Sequence, residues 1–305
     1  MNQPRGFITI ATGDEEYYFL AANLLKSYRY FAGERLPFGI LCDRRNKYTE
    51  LFDDVIVFPD GASNSYLDKL RMGELLPYEE TIFIDADCLA YGDLNNLFSC
   101  FKDAGDFSCF GRTLSLDDET GWFEYKNLGT LQNKVSFVIG LHGGIYYMRK
   151  SEKMKAVFKT ARSLIPEYKR FQFKGNFDTP GDEPLIALSM ALNQIKPTDF
   201  KEGTICCFWD CQNNMKIDIS IPIACEKGTT QNIFLMHWGT RFTRLLLYKE
   251  QIELLNIMIE GKNVFLRVQL CRLVYRVKVL CENMNKFKGR VNNKIIRICN
   301  SRKEK

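Results

Sequence analysis

The sequence predicts an α/β protein built on a single, mainly parallel sheet flanked by helices. Three observations carry that expectation. Short apolar runs alternate with helical patterns over the first hundred residues, as βαβ units require. The runs are continuously apolar rather than alternating, which suits strands covered on both faces. The chain has 305 residues, 46% apolar and 26% charged, enough to bury a sizeable core.

Residues 7–12 read as a strand closed by Gly13-Asp14. From Asp14 the pattern turns helical as far as Phe31, with acids in the first turn and Gly33 as a stop. Residues 38–42 and 55–58 are the next strands, ended by Asp43 and Pro59. Residues 67–76 read as a helix stopped by Pro77, and 81–84 as a buried strand running into Asp85-Ala86-Asp87. Ligands of such sheets sit beyond the carboxyl ends of the strands, so the loops after Thr12, Cys42 and Ile84 are expected on one functional rim.

The second half is less regular. Residues 112–134 are polar and charged, and read as an active-site loop or an insertion. Strands are expected at 135–139 and 145–148, around Gly143-Gly144, with helices at 151–165 and 182–192. A short strand at 233–236 leads into His237-Trp238-Gly239, and 241–259 is an amphipathic helix.

Composition excludes several classes. No 20-to-50-residue repeat suggests a solenoid or propeller, and no apolar run approaches the ~18–20 residues of a spanning helix. The N-terminal run reads as a strand rather than a signal peptide. Eleven cysteines with irregular spacing point to a reduced, cytoplasmic protein. Cys206, Cys207, Cys211 and Cys225 could form a zinc site, but they lack the paired C-x2-C spacing and read better as buried thiols.

The net charge of +5 hides an asymmetry. Residues 262–305 carry 13 Lys/Arg against 2 acids, while the other 261 residues carry 29 basic and 35 acidic side chains. The expected organisation is therefore a body at 1–261 and a basic amphipathic helical tail at 262–305. Apolar triplets such as Val264-Phe265-Leu266 alternate there with Arg and Lys. Such a tail is either a cap on the body or a peripheral anchor on the anionic inner face of a membrane. No nucleic-acid-binding motif accompanies it, so no nucleic-acid partner is expected.

The chemistry centres on Asp85-Ala86-Asp87. Residues two apart in an extended segment project to one side, so both carboxylates can face one ion. Oxygen donors favour a hard cation such as Mn²⁺ or Mg²⁺. His237, one of only two histidines, follows an apolar strand and is a candidate third ligand. One owner of this short motif is the haloacid-dehalogenase phosphatase group, in which the first acid, here Asp85, is the nucleophile. Cys88-Leu89 then stand where that group has Gly-Thr. The other owner is the nucleotide-sugar transferase group with the GT-A fold.

Tyr66-Leu67-Asp68-Lys69-Leu70, Thr81-Ile82-Phe83-Ile84-Asp85-Ala86-Asp87-Cys88-Leu89 and Gly92-Asp93-Leu94-Asn95-Asn96-Leu97-Phe98 strongly resemble glycosyltransferase family 8. That family includes glycogenin and bacterial lipopolysaccharide glucosyl- and galactosyltransferases. The resemblance covers about residues 6–245, in islands. It implies a GT-A fold and retaining, metal-dependent transfer of a hexose from a UDP-sugar to a glycan or glycolipid acceptor. Cell-surface polysaccharide or lipopolysaccharide synthesis would be the setting.

By this resemblance Asp85, Asp87 and His237 match the metal ligands. Ala11, Thr12 and Tyr17 lie where the first loop contacts uridine, with Gly13 in place of a frequent Asn. Ala86 falls in the donor site, and Lys69 near the sugar and diphosphate. Leu141-His142-Gly143-Gly144-Ile145 resembles the segment by the donor sugar, with His142 for Asn. Asp182 and Glu183 match the carboxylate and amide near the anomeric carbon, with Glu183 for Gln. In the segment of His237, Gly239 comes one residue early and Lys-Pro-Trp is absent, leaving Arg241 to supply charge. The departures at His142, Glu183 and Gly239 also fit a catalytically inactive nucleotide-sugar-binding module.

Overall fold

The computed structural model describes residues 4–174, 179–200, 203–211, 214–227 and 233–301. The central sheet has six strands: β1 (Arg5–Ala11), β2 (Phe38–Cys42), β3 (Asp54–Val57), β4 (Glu80–Ile84), β6 (Phe107–Leu114) and β7 (Val138–Arg149). Their spatial order is β3-β2-β1-β4-β7-β6. The first four are parallel, and β7 runs antiparallel to both β4 and β6. A smaller sheet sets β11 (Leu235–His237) between β5 (Cys88–Ala90) and β8 (Ile205–Cys207), and β9 (Met215–Asp218) pairs with β10 (Ile223–Glu226). The expected α/β class is found, with a central, mainly parallel sheet flanked by helices, but the sheet is not single: a three-stranded and a two-stranded sheet accompany it.

The continuous apolar strands have the predicted cause. Alternate residues of a strand point to opposite faces, and here both faces are covered. Phe7, Ile40, Ile82 and Ile84 enter one core with α1 (Glu15–Phe31) and α6 (Leu246–Glu260). Ile8, Leu41 and Phe83 enter the other with α3 (Glu152–Ser163) and α4 (Asp182–Leu192). Ser151 caps α3 by accepting from the Met154 amide, and α4 begins at the predicted Asp182.

Three expectations need correction. Gly143 and Gly144 do not separate two strands; they lie inside the single twelve-residue β7. Residues 66–74 are 3₁₀ rather than α-helical. Buried Asp68 accepts from the Ser63 amide and hydroxyl, tying the first turn back to the loop before it. The polar segment 112–134 is not one loop: it begins within β6 and ends in the 3₁₀ turns of Tyr125–Lys134. The short α2 (Asn96–Cys100) and α5 (Phe208–Cys211), with β5 and β8, carry too few residues to show a period.

The tail is one long helix, α7 (Val264–Ser301). Val268 and Cys271 are buried, and Val264 and Tyr275 also pack against the core, whereas residues 276–284 are all exposed. Residues 302–305 lie outside the described residues, as do the side chains of 285–301 and of Cys211. Among the described residues, no helix is long and apolar enough to cross a membrane. Of the cysteine cluster, Cys225 is buried but Cys206 and Cys207 are only half-buried, so they are not simply core thiols.

Candidate active site

The loops after β1, β2 and β4 do share one rim. Asp43, after β2, accepts from the Gly13 amide and from the Tyr18 hydroxyl, locking the first two loops together. A cavity of about 220 Å³ opens there, lined by Thr12, Tyr17, Lys69, Asp85, Ala86 and Asp87, and also by Ile10, Asn64, Ser65, Tyr66 and Thr240. A second cavity of about 370 Å³ shares Tyr66, Lys69, Asp85, Asp87 and Thr240, and adds Asp182, Glu183, Trp209, His237, Gly239 and Arg241. Of the residues singled out in the sequence, Ala11 packs in the core and His142 lies behind His237. Thr12, Tyr17, Lys69, Asp85, Ala86, Asp87, Asp182, Glu183, His237, Gly239 and Arg241 line one cavity or the other, whereas the Gly143 amide binds Glu183.

Asp85 and Asp87 are anchored through their backbones. The Asp85 amide donates to the Gly144 carbonyl at the end of the β4–β7 ladder, and the Trp238 amide donates to the Asp87 carbonyl. Lys69 Nζ lies 2.8 Å from Asp85 Oδ1 and 3.3 Å from Asp182 Oδ2. His237 Nε2 lies 3.0 Å from Asp87 Oδ1 and 3.7 Å from Asp85 Oδ2, so one imidazole nitrogen faces both carboxylates. The Thr240 hydroxyl donates to Asp87 Oδ2 at 3.1 Å, and Tyr146 donates to Asp182 Oδ2 at 3.1 Å.

The electrostatics follow from crowding four carboxyls around one ammonium. Burial works against the charge of Lys69, but Asp182 and Asp85 outweigh it and hold the ammonium well above the ordinary lysine range. Burial pushes the Asp85 carboxyl up, against the pull of Lys69 and His237. Asp87 is equally buried, yet His237, Lys69 and Thr240 hold it below the usual carboxylate range. Burial disfavours charge on His237 too, but Asp87 outweighs it and raises the imidazole. Burial and the adjacent carboxylates keep Cys88 a thiol, leaving it a poor partner for a hard cation.

Glu183 is pushed up to about 7, by burial first and Asp182 second. Its Oε1 accepts from the Gly143 amide at 2.6 Å. The folded carboxyl is thus raised above its unfolded value of about 4.3, so protonation stabilises the fold at low pH and the benefit is lost as pH rises toward 7. Glu183→Gln keeps an acceptor for Gly143 without the charge. It is expected to match the native stability near pH 4.5 and exceed it by about 3–4 kcal/mol at pH 8. Denaturant unfolding at the two pH values checks this, and an equal gap at both would contradict it.

The glycines of β7 explain why this strand is not interrupted. A Cβ on Gly144 would lie 2.6 Å from His142 Cε1 and from His237 Nδ1, and one on Gly143 would run into the Glu183 side chain. They are strand residues bared so that the site can close on the backbone. Gly239 differs: its φ of +72° is a turn position that L side chains rarely adopt.

Sequence reasoning missed Trp209 and Thr240. Thr240 sits one residue beyond Gly239, and a lone threonine there carries no sequence signal of its own. Trp209 comes from the four-residue α5, which has no sequence signature, and its ring stacks on His142 at 6.3 Å and meets His237 edge-on at 4.9 Å.

No family model matches the chain, and no curated protein matches it. Among solved structures it is similar to the apo form of mouse xyloside xylosyltransferase 1, with 14% identity, a TM-score of 0.48, and coverage of 78% of this chain and 99% of that one. It is similar to an active-site mutant of LgtC, at 12% identity and a TM-score of 0.46, over 77% of this chain and 87% of that one. The galactosyltransferase LgtC in complex with donor and acceptor sugar analogs gives 12%, 0.45, and the same coverage.

Proposed function

We propose that the chain is a metal-dependent glycosyltransferase of the GT-A type, moving a hexose from a UDP-sugar to a glycan or glycolipid acceptor with retention. One observation carries the reading. At the carboxyl end of β4, Asp85 and Asp87 face a single nitrogen of His237, with Lys69 reaching Asp85 and Asp182 on the floor of the same rim. Two carboxylates and an imidazole suit Mn²⁺ or Mg²⁺. The surplus of buried carboxylate over the single ammonium also asks for a cation.

Asp85, Asp87 and His237 would hold that cation, which would neutralise charge developing on the departing diphosphate. Lys69 supplies a permanent positive charge beside it, fixed by two carboxylates and so needing no reorganisation. Thr12 and Tyr17 line the first cavity, which this reading gives to the nucleoside. Asp182 and Glu183 line the second, which this reading gives to the sugar, and Arg241 in the same lining would add charge toward the diphosphate. Residues 1–261 form the catalytic body in this reading.

The test is release of UDP by the full chain with Mn²⁺, across UDP-glucose, UDP-galactose and their N-acetyl forms. Metal-dependent release from one donor is expected. Absence of Mn²⁺-dependent UDP binding by calorimetry overturns the reading. Hydrolysis of an aryl phosphate would instead favour Asp85 as a phosphatase nucleophile, and UDP binding without turnover on any acceptor the inactive module.

Residues 262–305 are read as a peripheral anchor on the anionic inner face of the membrane, near a glycolipid acceptor. Leu266, Leu270, Leu273, Val277, Leu280 and Met284 are exposed along α7 at alternating spacings of four and three, among Arg and Lys. Cutting the tail at 261 would also strip Val268 and Cys271 from the body, so a point variant is the cleaner probe. Leu273→Asp with Leu280→Asp is expected to weaken sedimentation with anionic vesicles at least about tenfold. Unchanged sedimentation would leave α7 a cap on the body.

A further inference from the structure

Cys207 ends β8. It is the register partner of His237 on the neighbouring strand of the small sheet, so the two side chains leave the same face. His142 reaches the same point from β7. One ring nitrogen of each histidine and Cys207 Sγ all lie within 4.8 Å of one another. The facing nitrogens, His142 Nε2 and His237 Nδ1, are 3.0 Å apart. Both histidines are buried and Cys207 half-buried, and Trp209 covers the two rings.

We infer that His142, Cys207 and His237 form a second cation site, selective for zinc or a comparable borderline-soft divalent ion, behind the carboxylate pair. Two imidazoles and a thiolate are the donors such ions select over Mn²⁺ and Mg²⁺. Tetrahedral zinc with bonds of about 2.0–2.3 Å needs N···N and N···S separations of about 3.3–3.6 Å, so the set closes with shifts on the order of an ångström. Three protein ligands leave a fourth position for water.

The hydrogen-bond chain states what binding must change. The Gly144 amide donates to His142 Nδ1 at 3.2 Å, which places the ring proton on Nε2, between the two rings. A cation entering between the rings takes that position. The His142 proton moves to Nδ1 and breaks the bond from Gly144, while the Cys207 proton leaves to solvent. His237 then ligates through Nδ1 and keeps its proton on Nε2, donating to Asp87. A neutral imidazole has one free lone pair, so His237 cannot serve both sites at once. Zinc here withdraws the third ligand from the carboxylate site and inhibits; this consequence rests on the function proposed above, whereas the site itself does not.

The test uses cobalt(II) as the probe on the full chain, read by absorption. Tetrahedral Co²⁺ with one thiolate is expected to give a sulfur-to-metal charge-transfer band that Zn²⁺ displaces. Cys207→Ser removes the band and lowers Zn²⁺ affinity by more than the ~10–100-fold that loss of an outer-sphere partner costs. His142→Asn lowers the affinity comparably while retaining the thiolate, and covers the case in which Cys207→Ser fails to fold. Cys88→Ser, on the other flank of His237, leaves the band in place. Absence of any band, a band that survives Cys207→Ser, or one lost only in Cys88→Ser overturns the site. Mn²⁺-dependent UDP binding, measured on Cys207→Ser, is expected to persist, so failure of the zinc site and failure of the transferase reading stay distinguishable.

Discussion

Replacing Lys69 by Met is expected to destabilise the protein by about 3–5 kcal/mol at neutral pH, the cost of breaking a buried ion pair by removing one partner. Asp85 and Asp182 would be left with no ammonium within 4 Å among the described residues. Asp182 would keep the hydroxyl of Tyr146. Because the Lys69 ammonium is held above its ordinary range, its contribution is fully present below about pH 10 and is lost only as pH rises through the folded value. The measurement is equilibrium unfolding in denaturant at pH 7. Adding Asp182→Asn to Lys69→Met should recover part of the loss, since one orphaned charge is removed. Strict additivity of the two changes would mean that the pair is not coupled.

The second large effect is on activity. Asp87→Ala is expected to lower metal-dependent UDP release by about 10³-fold, the scale of losing a fixed electrostatic group at a charge-developing site. Mn²⁺ affinity should fall with it, because His237 Nε2 and the Thr240 hydroxyl both lose their common partner. Calorimetric titration of Mn²⁺ with UDP present separates a binding defect from a catalytic one. Full metal-dependent turnover in the variant would show that the cation does not use this carboxylate. The Lys69 and Asp87 effects fall on different measurements: the first is seen without ligand, the second requires it.

The candidate site shows where a sequence is legible. Asp85 and Asp87 were readable because an all-apolar strand ending in two acids has few other uses, and strand ends are where such sheets bind ligands. Asp182 was readable for a different reason: the acidic start and apolar run of α4 announce a helix N-terminus. Lys69 was harder. On periodicity alone a lysine at this position is a solvated surface charge, and only the resemblance placed it near the diphosphate. Its reach to both Asp85 and Asp182 depends on the 3₁₀ turns of residues 66–74 packing beside β4 and α4, partners 16 and 113 positions away.

Gly143-Gly144 is the instructive error. Paired glycines ordinarily punctuate strands, so in sequence this pair marks a break. In the fold the missing side chains make room for Glu183 on one side and the two histidines on the other, so the strand runs on. The pairing of His142 with His237, 95 positions apart, is equally silent in sequence, as is the arrival of Cys207 beside them.

The sequence by itself determined the α/β class, most of the strands and helices of the sheet layer, the rim at the strand ends, the acidic pair and the basic character of the last helix. These depend on local period, on apolar content and on charge, all of which are properties of neighbours in the chain. The tertiary structure alone decided which cation neutralises which carboxylate, that β7 is continuous, that Trp209 and Cys207 close around the histidines, and that residues 276–284 of α7 lie uncovered. Each of these is a meeting of residues brought together by packing, and packing selects partners by shape and by the need to satisfy buried polar groups, neither of which leaves a period to read.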